Sequence, residues 1–257
     1  MQTEQFQIDY DNGDKYIGTI SNEKRHGKGT YFLASGAFYN GDWVEGKKQG
    51  SGTYQYASGA KYEGQWANDR KHGHGTYIYP NGDGYQGSFS QGIPNGNGIY
   101  VYQNGDRIQG VFVNGKPEGM GAYAYKNGNM YQGNFKNGLF NGAGKLYYGH
   151  GGMYEGNWEN DLRHGKGVLI LGKDNGYQGD FKEDKMHGKG VYFYPNGERF
   201  EGNFREGKKN GMGMHYYTNG DVFDGVWHND QRNGKGMLIY SSGKKEQHVY
   251  ENDVRVG

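Results

Sequence analysis

Polar and apolar residues alternate along this chain in short runs that never settle into the 3.6-residue rhythm of a helix. A representative stretch places Tyr62, Gly64 and Trp66 at alternate positions, then Gly75, Tyr77 and Tyr79. Side chains on a strand point to opposite faces in turn, so each set lies on one face of a strand. Asn-Gly pairs follow such runs at Asn81-Gly82, Asn104-Gly105, Asn127-Gly128, Asn196-Gly197 and Asn219-Gly220. They accept positive φ at both central positions and predict two-residue turns. No glycine-free stretch is long enough to carry an amphipathic helix.

The pattern has a period of 23 residues with no insertion or deletion. Repeats begin at Tyr16, Tyr39, Tyr62, Tyr85, Ile108, Tyr131, Tyr154, Tyr177, Phe200 and Phe223. Position three is glycine in all ten, as are positions twelve and fourteen, and position five is Trp or Phe in all but the first, which has Ile20. Position twenty-one is glycine except at Asp174, so the seventh repeat is expected to turn two residues late, at Asn175-Gly176. Each repeat reads as one β-hairpin, and the whole as an all-β fold: an elongated, twisted, single-layer antiparallel meander. Some twenty strands at about 4.8 Å spacing would extend roughly 100 Å. One domain is expected over 1–257, with repeats at 16–245 and half-repeats capping at 1–15 and 246–257, the latter with Glu246 and His248 in place of the ring and the glycine.

Glycine inside a strand costs roughly 0.5–1 kcal/mol relative to alanine, so these glycines need a reason. At position three the missing Cβ leaves a slot in which a neighbouring repeat's ring can lie flat on the backbone. The core is then a stripe of Tyr, Trp and Phe rings, with the tyrosine hydroxyls wet at its edge.

Composition sharpens this picture. Hydrophobic residues make only 33% of the chain and glycines number 51 of 257, which by itself would suggest disorder. The 25 Tyr, 12 Phe and 4 Trp say otherwise, because disordered chains are poor in aromatics. A net charge of +1 argues against a dedicated nucleic-acid binder. With no cysteine there is no disulfide framework and no thiolate nucleophile. No apolar leader or long apolar run is evident, which predicts a cytoplasmic protein.

The pattern Tyr-x-Gly-x-Trp, then His-Gly-x-Gly, then a turn glycine, at this period, resembles the MORN-repeat family over about nine-tenths of the chain. The resemblance implies an elongated antiparallel sheet and a role in protein assembly or membrane attachment, as in cytoskeletal scaffolds and the radial spoke heads of cilia. It implies a non-catalytic structural scaffold at the cytoskeleton, foremost in the ciliary or flagellar axoneme. A peripheral membrane or phosphoinositide-binding adaptor, or a regulatory subunit of an enzyme, are the alternatives. Ile20, Ile108 and Asp174 depart from the pattern and put local ring stacking in question.

No catalytic, metal or cofactor site is expected. Position eleven interchanges between His26, His72, His164, His187 and Asn95, Asn141, Asn210, Asn233, which suits a hydrogen bond that closes a turn better than metal ligation. The Gly-x-Gly motifs are followed by neither a helix nor a Lys-Ser/Thr pair, so they are strand glycines and not phosphate loops. Positions nine and ten, taken as hairpin tips, carry Lys24, Arg25, Lys47, Lys48, Arg70 and Lys71, a basic row that could meet anionic lipid. In the middle repeats the same edge is apolar at Ile93, Pro94, Leu139, Phe140 and Leu162, a candidate partner surface. The face opposite the rings carries a second one: Val168 and Ile170, Val191 and Phe193, Met214 and Tyr216, Met237 and Ile239. Other protein subunits, or a second copy docking through the C-terminal repeats, are the partners expected there.

Overall fold

The computed structural model describes residues 4–257, and the described residues form strands and turns with no helix. They divide into two compact bodies, one up to Lys126 and one from Asn127. In the N-terminal body the strands from Phe6–Asp9 to Lys116–Ala124 follow one another in chain order, each antiparallel to the next. The C-terminal body repeats this from Met130–Lys136 to Val254–Arg255. Each body is thus a meander one sheet thick.

The two kinds of turn differ from expectation. The two-residue turn lies inside the repeat, at positions seven and eight, where both residues take positive φ (Asn68 48°, Asp69 65°). That is a type I′ turn, which Asn, Asp and Gly tolerate best. At the Asn-Gly pairs only the glycine has positive φ. There Gly82 N–H donates to Tyr79 O (3.0 Å) and Tyr79 N–H to Asp83 O (2.9 Å), which closes a three-residue loop, Pro80 to Gly82. The seventh repeat turns at Lys173-Asp174, earlier than expected, because Gly172 pairs with Asn175 and the strand has already resumed at Asn175–Lys182.

The ring stripe forms, and each ring fills its own repeat's slot rather than a neighbour's. Tyr62 lies over Gly64 on its own strand and over Gly75, which faces Gly64 across the hairpin. Nor are these hydroxyls wet: all seven tyrosines at position one are buried. Each donates to the carbonyl three residues on, as Tyr62 does to Gln65 O (2.8 Å) and Tyr154 to Asn157 O (3.0 Å). A buried hydroxyl needs such a partner. Burial also pushes the Tyr62 phenol up to about 12, so it stays protonated as a donor. Adjacent repeats are stitched by the four indoles, each donating to the position-fourteen glycine carbonyl of the repeat before, as Trp43 does to Gly29 O (3.0 Å). Edge-to-face rings complete the stripe, Tyr39 lying 5.1 Å from Trp43 and 5.2 Å from Trp66.

Position-twelve glycine serves a different purpose. The register slips where Gly64 pairs with Gly75 but Gln65 with His72, leaving a bulge that holds Gly73 at φ 57°. Gln65 Oε1 accepts the bulge's His74 N–H (3.0 Å). Both edges are further pinned by aspartates. Asp69 Oδ1 accepts Lys48 N–H (2.9 Å) on one edge, and Asp83 accepts Gln103 N–H (2.8 Å) and the Tyr100 hydroxyl (2.7 Å) on the other. At the C-terminal end His248 pairs with Gly236 and is buried against the Tyr250 hydroxyl and Glu246.

Candidate interaction surfaces

In the C-terminal body the face opposite the rings carries the predicted apolar stripe in two rows. Val168, Ile170, Phe193 and Met214 are exposed, while Val191, Tyr216, Met237 and Ile239 are half-buried. Met212, at position thirteen on the same face, is the most exposed of the stripe at 56%; the expected set omitted it although strand parity places it there. Polar residues interleave the first row: Met214 faces Glu201 on one side and Asp224 on the other. The second row is more apolar, and its Arg199 guanidinium lies 3.6 Å from the Tyr216 ring centroid. An open groove of about 860 Å³ runs over Val168, Val191, Met212 and Met214. The matching groove of the N-terminal body is polar, lined by Asn40, Ser51, Thr53 and Thr76.

The apolar edge is not a single surface. Positions nine and ten belong to the second strand, so their side chains point opposite ways. Ile93, Leu139 and Leu162 are exposed. Pro94 is half-buried, and Phe140 is core: its ring stacks on Tyr131 at 3.6 Å and 8°.

The same parity splits the basic row. Arg25 lies over Tyr31 and Trp43 (4.5 and 4.3 Å to the ring centroids), Lys48 over Tyr54 (4.9 Å) and Lys71 over Tyr77 (4.0 Å). Burial holds both lysines below the ordinary ammonium range. Only Lys24, Lys47 and Arg70 project outward, and Lys24 pairs with Glu45 (2.8 Å) while Arg70 donates to Gln91. Six stacked cations on one edge are therefore three on each of two faces.

Position eleven does not share one turn-closing bond. Gln49 Oε1 accepts Asn68 N–H of the next repeat (3.0 Å), and His164 Nδ1 lies 3.4 Å from Glu159 of its own repeat. The buried Nδ1 of His26 and of His187 has no partner among the described residues. No group of three or more His, Asp or Glu side chains suited to a metal ion occurs among the described residues. No helix is long and apolar enough to cross a membrane.

A second buried histidine–carboxylate pair, besides His248 and Glu246, lies in the tyrosine row that flanks the stripe. His215 takes the place tyrosine holds in most repeats, and its Nε2 lies 2.9 Å from Glu198, as Tyr100 meets Asp83. Burial, aided by the charges of Lys209 and Arg232, lowers its pKa against the opposing pull of Glu198. The hydrogen bond to His215 in turn lowers Glu198. A histidine depressed in the folded state contributes stability above its unfolded value near 6.5 and loses it as pH falls toward the folded value. The thermal midpoint of the C-terminal body is thus expected to drop between pH 7 and 5.5. His215→Tyr should flatten that drop, and an unchanged slope would contradict the assignment.

A family model, the MORN repeat, matches residues 16–38, 39–61, 62–84, 85–107, 109–130, 131–153, 154–175, 177–199, 200–222 and 223–245. No curated protein sequence matches the chain. Among solved structures, the TCP domain of Drosophila melanogaster SAS-4 is 18% identical, covering 69% of this chain and 85% of its own, at a TM-score of 0.32. The TCP10 domain of Danio rerio CPAP is 10% identical over 96% of this chain and 100% of its own, at 0.29. Virginiamycin B lyase from Staphylococcus aureus is 10% identical over 98% and 86%, at 0.16. All three scores fall short of a shared fold.

Proposed function

The chain belongs to the MORN-repeat family, and from that premise we propose that it is a non-catalytic scaffold that assembles other proteins in a cytoskeletal complex, with the ciliary axoneme as its foremost setting. The observation that carries the scaffold reading is the exposed stripe of Val168, Ile170, Phe193, Met212 and Met214 on a sheet only one layer thick. Apolar side chains gathered on one face of a regular array favour a docked protein over water. The partner is another subunit or a second copy of this chain. The axonemal setting draws its support from the family's known uses alone.

The test is substitution on that face. Phe193→Asp with Ile239→Asp is expected to abolish capture of partners from ciliated-cell extract, and any self-association in sedimentation velocity, while the β-sheet circular dichroism persists. Loss of the folded signal, or capture unchanged in the folded variant, would count against the stripe. Recovery of axonemal proteins by the parent chain would support the finer reading. Salt-sensitive sedimentation with anionic liposomes would favour the membrane adaptor, for which Lys24, Lys47 and Arg70 are the outward cations.

A further inference from the structure

The ring face of the N-terminal body carries a second row outside the buried stripe. Tyr54, Tyr56, Tyr77, Tyr79, Tyr100 and Tyr102 are all half-buried. Their rings form an unbroken pavement, with successive centroids 4.4, 5.9, 4.6, 5.6 and 4.7 Å apart. One pair comes from each repeat, so the pavement is corrugated with the period of two strands, about 9.4–9.8 Å. Tyr100 gives its hydroxyl to Asp83, whereas those of Tyr54, Tyr56, Tyr77, Tyr79 and Tyr102 have no acceptor among the described residues. Along its inner border stand Lys48 in the second repeat and Lys71 in the third, lodged over the rings, with Pro94 in that place in the fourth. Neither ammonium meets a carboxylate among the described residues. Asp69, the acid that acts on Lys48, already accepts the Lys48 backbone N–H.

We propose that this pavement, from Tyr54 to Tyr102, docks an acidic, proline-rich segment of another protein in the polyproline II conformation. Three features select that occupant. Polyproline II repeats every three residues over about 9.3 Å, so a proline at every third position meets successive tyrosine pairs with a slip of about 1 Å or less over three repeats. An extended strand repeats at about 6.7 Å and drifts out of phase within one repeat. Polyproline II also makes no internal hydrogen bonds, so its carbonyls are open to the line of phenol donors. Finally, Lys48 and Lys71 stand one repeat apart with neither ammonium in an ion pair among the described residues, while the Asp83 carboxylate beside Tyr100 is already held by Tyr100, Gln103 and Asn81. Carboxylates three residues apart in the segment match the two lysines. The ordering entropy of such a segment is small because the conformation is preformed.

The full chain is titrated against labelled acetyl-(Pro-Pro-Glu)4-amide and followed by fluorescence anisotropy. Saturable binding is expected, at least about tenfold tighter than to (Pro-Pro-Lys)4 or (Gly-Ser-Glu)4 of the same length and weaker as salt rises. Tyr56→Ala with Tyr79→Ala should weaken it by about tenfold or more. Tyr56→Phe with Tyr79→Phe, which keeps the rings and so the fold, should weaken it by about threefold. Lys71→Gln should narrow the preference for Glu over Lys. No saturable binding, equal binding of (Pro-Pro-Glu)4 and either control, affinity indifferent to these substitutions, or helix forming in the bound peptide would each overturn the proposal.

Discussion

Replacing Gly87 with alanine is expected to destabilise the N-terminal body by about 3 kcal/mol, whereas the same change one repeat later, at Gly110, should leave stability within about 1 kcal/mol of the parent. The two glycines hold the same position and differ in what lies over them. A Cβ on Gly87 would sit 2.5 Å from Asn97 O and from Gly98 Cα, and 2.7 Å from the Tyr85 hydroxyl. Backbone lies on one side and a fully buried ring on the other, so neither can yield cheaply. In the fifth repeat the ring is absent, Ile108 standing in its place, and a Cβ on Gly110 would be 3.3 Å from Gly121 Cα and 3.4 Å from Met120 O. That contact is relieved by a shift of a few tenths of an ångström. Arrays of repeats need not unfold in one step, so the comparison is best made by native-state hydrogen exchange at amides of each repeat alongside urea unfolding. Equal costs at the two sites would show that the glycines answer to backbone conformation and not to the ring. Tyr85→Ile, costly on its own because it empties a buried ring site, should shrink the additional cost of Gly87→Ala toward that at Gly110, a coupling read from the double-mutant cycle.

That pairing also marks how far the sequence was legible. The period, the hairpin per repeat, the face on which Tyr62, Gly64 and Trp66 meet, and the exposure of the apolar face at Phe193 and Met214 all follow from period-two alternation within a 23-residue repeat. Contacts across the sheet did not. Whether a ring lies over its own glycines or a neighbour's depends on side-chain direction, which spacing leaves open. The turns were misplaced for a chemical reason. Asn-Gly is the stronger turn signal, yet here its Asn keeps negative φ in a three-residue loop, while mixed pairs such as Asn68-Asp69 and Glu183-Asp184 hold the type I′ turns. Taking positions nine and ten as tips followed from that error, and with it the basic row and the place of Phe140. His215 could have been noticed as the histidine in a tyrosine column, but its burial against Glu198 required the structure.

Position ten ties these corrections to a second large effect. It carries Arg25, Lys48, Lys71, Pro94, Pro117, Phe140, Arg163, Met186, Lys209 and Arg232, and what these share is an apolar or planar body able to lie on rings. Arg163 lies 5.3 Å from the Phe181 centroid and Arg232 4.3 Å from that of Tyr250. Phe140 meets the same need with a ring: stacked on Tyr131, it also stands edge-to-face to Phe135 (5.4 Å) and Trp158 (5.5 Å). Phe140→Ala is therefore expected to cost the C-terminal body about 3–5 kcal/mol. Phe140→Asp should cost more, since a carboxylate would be buried there without a partner. Phe140→Arg should cost least of the three, because the next repeat, at Arg163, and two others, at Arg25 and Arg232, already seat a guanidinium in that place. Leu139, next in the chain but 39% exposed, should tolerate aspartate within about 0.5 kcal/mol. Urea unfolding of the four variants ranks them directly. If Leu139→Asp and Phe140→Asp destabilised alike, or if arginine proved worse than alanine, position ten would not be the ring-packing site that the alternation of the second strand makes it.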